Sequence, residues 1–189
     1  IMNRLIQLLQ CLSLLCALLV FASCEDEMHA PEEVVPEEIP AYVNAAKSLS
    51  AGRQANCYIV SKEGTYRFTP YKGNSKAHVE GVASARVLWE SFGTDQKPSV
   101  GALVRDVEYI GGYIAFKTSE VFTEGNAVIA AEDANGKILW SWHIWLTDYP
   151  QGQLYYNNAG TMMDRNLGAT SATPGDVCVL GLKYQWGRK

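Results

Sequence analysis

The sequence predicts an all-β fold, and three observations carry the prediction. Short apolar runs alternate with a period of two, Gly, Asn, Asp and Pro punctuate them at short intervals, and no stretch from Asn56 to Thr147 holds a convincing helical period. The clearest case is Gly125–Asp148, which reads GNAVIAAEDANGKILWSWHIWLTD. Ile138, Trp140, Trp142, Ile144 and Leu146 fall on one face of its second arm, and Leu139, Ser141, His143 and Trp145 on the other. A helix would scatter those Trp side chains around its circumference. The first set is expected to face a core, where each Trp buries on the order of 200 Å². Asn135-Gly136 between the arms predicts a tight type I′ turn, because both residues tolerate positive φ.

The other strands follow in order. Tyr42–Ala51 reads as either a short helix or an approach strand. Asn56–Ser61 is a strand, turned at Gly64 into Thr65–Thr69, where Tyr66 and Phe68 oppose Arg67. After a polar loop, Ser84–Glu90 groups Ala85, Val87 and Trp89 against Arg86 and Glu90. Leu103–Ile110 places Val107 and Tyr109 opposite Asp106 and Glu108, and Gly111-Gly112 joins it to Tyr113–Thr118 as a two-residue hairpin. With the Gly125–Asp148 arms this makes about seven short strands, the pattern of an immunoglobulin-like antiparallel β-sandwich. The Cys…Trp…Cys spacing of antibody domains is missing, and a small barrel is the alternative. The expected sandwich domain spans 48–148, followed by a linker over 149–160 and a second module from 161.

Composition bounds the functions. A chain of 189 residues, 48% hydrophobic and 19% charged, can bury a full core. A formal charge of −4 without a Lys/Arg cluster argues against a nucleic-acid partner.

The N-terminal 1–23 reads as an export signal. Arg4 precedes an apolar run from Leu5 to Phe21, and Phe21-Ala22-Ser23-Cys24 follows. These four residues resemble a bacterial lipobox, although Phe21 stands where that motif usually has Leu or Val. The resemblance implies that Cys24 is acylated and that the acyl chains hold the protein on a membrane. A simple transmembrane anchor is the competing reading. The tether over 24–47, with EDEMHAPEEVVPEEIP after Cys24, is too acidic and Pro-rich to build a core. It is similar to the surface-export signal of Bacteroidetes lipoproteins, and equally consistent with a plain spacer.

Beyond Tyr149–Ala159, two blocks stand out: TMMDRNLGA at 161–169 and GLKYQWGRK at 181–189. They resemble the opening of the Fibrobacter succinogenes major paralogous domain, FISUMP. That domain runs on for well over another hundred residues, so 161–189 is expected to be its truncated start. The segments NCYIVS, VLWESFG and GNAVIAA…ILWSWHIWLTD look like the β-domain that accompanies FISUMP in Bacteroidetes surface lipoproteins, some of them fimbrillin-like. The resemblance implies a structural or adhesive protein of the outer membrane, lipid-anchored and surface-exposed.

Chemistry is sparse. His29, His78 and His143 show no metal-ligand spacing, and no GxSxG, HExxH or phosphate-binding Gly loop occurs. No metal, cofactor or catalytic residue is therefore expected. His143 is expected on a solvated face. Asp164, Arg165 and Asn166 form a polar triplet with a structural role. Cys57 and Cys178 remain once the leader and Cys24 are set aside, and whether they pair stays open. Aromatics are the remaining candidates: Trp145 with Tyr113 or Tyr66 would make a sugar-stacking platform, against the alternative that Trp145 is packing. The expected function is a non-catalytic structural or adhesive surface module, with other surface proteins or glycans as partners. The alternatives are a glycan-binding lipoprotein, or a fragment whose active domain lies beyond Lys189.

Overall fold

The computed structural model describes residues 38–73, 75–92 and 98–183, all within one compact unit running from Glu37 to Lys189. The expected signal, Cys24 and the tether up to residue 37 lie outside the described residues, as does YQWGRK at 184–189. A one-turn helix, α1 (Ala41–Ala45), precedes β1 (Lys47–Ser48), β2 (Cys57–Val60), β3 (Thr65–Phe68) and β4 (Ser84–Ser91). Then come β5 (Val104–Ile110), β6 (Tyr113–Thr118), β7 (Gly125–Glu132) and β8 (Ile138–Leu146). Short strands β9 (Gly152–Leu154) and β10 (Thr161–Met163) and a 3₁₀ turn at Val177–Val179 complete the set.

Two four-stranded sheets, β1-β3-β6-β5 and β2-β8-β7-β4, pack together as an all-β sandwich. Pairing is antiparallel except that β1 runs parallel to β3 and β2 parallel to β8. Period-two alternation builds the interior. Tyr58, Val60, Tyr66, Phe68, Phe116, Trp142, Ile144 and Leu146 all reach it. Phe68 holds its centre, with ring centroids 5.1 Å from Tyr58, 5.2 Å from Trp142 and 6.4 Å from Phe116. Each such pair adds about 0.5–1.5 kcal/mol beyond burial.

Two turns differ instructively. Gly111 and Gly112 lie at φ +55° and +81° between paired Ile110 and Tyr113, the positive-φ pair that a two-residue turn needs. The second hairpin is not the expected type I′ turn, because only Gly136 has positive φ, at +76°. Gly136 N–H donates to Asp133 C=O, and the Asp133 carboxylate accepts from the N–H groups of Asn135 and Lys137 at 2.9 Å each. The Asp133 side chain thus stabilises a longer loop that ends in a left-handed glycine.

A bulge corrects the expected faces of β4. Val87 pairs with Ile129 but Trp89 pairs with Val128, so the register slips by one at Leu88. Trp89 is thereby turned out, 40% exposed, and Glu90 is carried inside. The tether boundary also moves. Val43 is fully buried and β1 pairs with β3, so residues from about 41 belong to the folded unit and not to the extended stretch.

Candidate functional site

The chemically richest place lies on the outer face of β2, β8 and β7. Parallel pairing sets Cys57 directly beside His143, and antiparallel pairing sets Val128 beside His143 with Asn126 two residues along on the same face. Cys57 Sγ lies 3.2 Å from His143 Nδ1, and His143 Nε2 lies 2.8 Å from Asn126 Oδ1. Asn126 Nδ2–H then donates to the Gly168 carbonyl at 3.0 Å. With Asn126 Oδ1 as acceptor, Nε2 must carry the imidazole proton, which leaves Nδ1 to accept from the Cys57 thiol.

Nucleophile, base and orienting amide stand in the order found in cysteine hydrolases. The electrostatics run the other way. Burial pushes the Cys57 thiol up to about 12 and the His143 imidazole down to about 4, so both groups are neutral at pH 7. A reactive cysteine needs its thiolate stabilised, and no such shift operates here. What the relay does is satisfy buried polar groups in series and tie the loop at Gly168 to the sandwich.

That tie explains why the outer face is not solvated. Trp145 is fully buried and its Nε1–H donates to the Ala169 carbonyl at 3.0 Å. Ala169 is 1% exposed, and Gly168 sits so close to Leu182 that a Cβ there would lie 2.6 Å from Leu182 Cγ. The Arg165 guanidinium, 6% exposed, grips the Asp164 carboxylate at 2.8 and 3.1 Å and also contacts Asp148. The hydrogen bonds to Asp164 first, then to Asp148, hold Arg165 well above its ordinary range, and the same pairing lowers Asp164. The expected structural network of the polar triplet is therefore seen for Asp164 and Arg165, and Asn166 extends it by donating to the Val179 carbonyl at 3.1 Å. Residues 165–169, braced by Leu182, form a cover over β7 and β8.

This cover corrects two expectations. His143 is buried, not solvated, and Trp145 offers no ring face to a sugar. Tyr66 is 3% exposed inside the sandwich, stacked on Phe116 at 5.7 Å, while the Tyr113 ring carries the Arg67 guanidinium at 4.4 Å. Tyr66 and Tyr113 lie on opposite faces of one sheet and Trp145 on the other sheet, so the three rings form no platform. Trp145 is packing.

Sequence reasoning also missed Glu90. Its carboxylate is 5% exposed and accepts from the N–H groups of Ala102, Leu103 and Val104 at 2.7–3.2 Å. It pins the start of β5 against the end of β4. The glutamate is visible in the sequence, but its inward turn depends on the Leu88 bulge, which is not. Cys57 and Cys178 are both free thiols.

Among the described residues no group of three or more His, Cys, Asp or Glu is placed to hold a metal ion, and no helix is long and apolar enough to cross a membrane. The clefts are shallow: about 170 Å³ beside Tyr42, Asp106 and Glu108, and about 520 Å³ beside Met162, Arg165 and Ser171. No family model, curated protein or solved structure matches the chain.

Proposed function

We propose that the protein is a lipid-anchored cell-surface module of the bacterial outer membrane with a structural or adhesive role and no catalysis. The observation that carries this reading is the Cys57–His143–Asn126 relay. It has the order of a catalytic relay, yet its half-buried thiol and buried imidazole are both neutral and its last hydrogen bond goes to the Gly168 backbone. A tightly filled sandwich with that relay used as a strut suits a scaffold. The word matches at MDRNLGA and YQWGRK support the FISUMP-type surface-lipoprotein reading, and Phe21-Ala22-Ser23-Cys24 supports the anchor.

The anchor is tested directly. Replacing Cys24 by Ala should abolish incorporation of radiolabelled palmitate and move the protein from the membrane to the soluble fraction. Unchanged labelling and fractionation would remove the lipoprotein reading.

A further inference from the structure

The ribbon β9–β10 stands apart from both sheets, and all its strand residues are exposed on either face. Leu154 is 72% and Met163 47% exposed. A two-stranded ribbon exposed on both faces is marginal alone and gains stability from further strands. The stretch 149–163 holds no charged residue, and from Gln151 to Met163 there is no Pro either. Charge and proline, two of the usual guards of an open strand edge, are thus missing, and only the shortness of β9 remains.

The hydrogen bonds fix which groups are offered. Tyr155 N–H donates to Gly160 C=O at 3.0 Å and Asp164 N–H donates to Gln151 C=O at 2.9 Å. Gln151, Gln153 and Tyr155 therefore turn their backbone groups toward β10. Gly152 and Leu154 turn theirs to the open edge.

We infer that this edge pairs with the same edge of a second copy, antiparallel about a two-fold axis through Gln153, so that two ribbons become one sheet. The edge is self-complementary. In that register the Leu154 N–H donates to the carbonyl of Gly152 in the second copy, the N–H of that glycine donates back to Leu154 C=O, and the two-fold repeats both bonds. The side chains fit the same register. Leu154 of each copy stands opposite Gly152 of the other, which brings no side chain of its own; the Thr161 methyl, 2.9 Å from where a Gly152 Cβ would lie, is there to pack against it. Each chain carries a formal charge of −4, but the contact brings no charge against like charge, because 149–163 is neutral. The paired sheet would join the apolar faces of Leu154, Thr161 and Met163 from both copies. A second copy is favoured over another partner because its edge supplies the required spacing of donors, acceptors and gap without further assumption.

Cysteine cross-linking of the full-length chain in detergent tests the register. Across the axis the two Gln153 residues form a non-hydrogen-bonded pair with Cα atoms about 4.5 Å apart, within disulfide reach. Gln153→Cys should give a covalent dimer under diamide, above the background set by the chain's 5 native cysteines. Gln151→Cys should not, because its two copies lie about 14 Å apart along the strands. Adding Leu154→Pro removes an outward N–H and no bond to β10, so it should abolish the Gln153→Cys dimer at an unchanged melting temperature. If that variant melts early, Leu154→Lys replaces it, setting a charge on each side of the axis. No dimer from Gln153→Cys above background, or one that survives both substitutions, overturns the proposal.

Discussion

Trp145→Ala should be nearly as costly as Trp142→Ala. The alternation of β8 alone suggests otherwise, since it places Trp142 on the core face and Trp145 on the opposite one. In the structure the two are 1% and 0% exposed. Removing a buried Trp leaves a cavity worth about 3–5 kcal/mol. Each change also strands a backbone carbonyl, that of Tyr71 for Trp142 and that of Ala169 for Trp145, and the lost hydrogen bond contributes about 0.5–1.5 kcal/mol. Trp145→Phe keeps most of the ring and loses that bond, so it should cost about 1–2 kcal/mol. Urea unfolding followed by far-UV circular dichroism gives the stabilities, and limited proteolysis adds a local readout, because a loosened cover should be cut between residues 164 and 182. A cost below about 1 kcal/mol for Trp145→Ala, in the range of exposed sites, would refute the covered face. So would a cleavage pattern that stays the same.

Two more predictions concern the buried polar groups. Glu90→Ala should cost about 3–5 kcal/mol in the same melts, because it leaves backbone N–H groups of Ala102, Leu103 and Val104 without their acceptor; a cost under about 1 kcal/mol would mean water replaces the carboxylate. The relay sets a pH window. His143 is depressed from 6.5 to about 4, so the unfolded chain binds the extra proton first and stability falls as pH drops through that interval, by about 3 kcal/mol in all. Cys57 is raised from 9.0 to about 12, so the unfolded chain loses its proton first and stability falls again as pH rises from 9. Melts across pH should show a plateau between about 6.5 and 9, and His143→Gln should flatten its acid edge; an acid edge identical in that variant would assign it to other groups.

The strands were legible in the sequence because the signal that makes them is local. Alternation at Thr65–Phe68, Tyr113–Thr118 and Ile138–Leu146 depends on each residue's immediate neighbours, and Gly111-Gly112 fixes its own turn. The two parallel pairings were not legible, because β1 is only 2 residues long and β2 reaches β8 across 86 residues, and neither leaves a period behind. β9 falls in the expected linker and β10 at the start of the expected second module, because arms of 3 residues are too short to show alternation. Face assignment failed where the fold added something from outside the strand. The slip at Leu88 sent Glu90 inward, and the segment around Gly168 and Ala169, outside the strand, laid a second covering on Trp145 and His143. A period of two says that a residue points away from its neighbours. Whether that direction meets water depends on what the rest of the chain places there, and only the tertiary structure decides it.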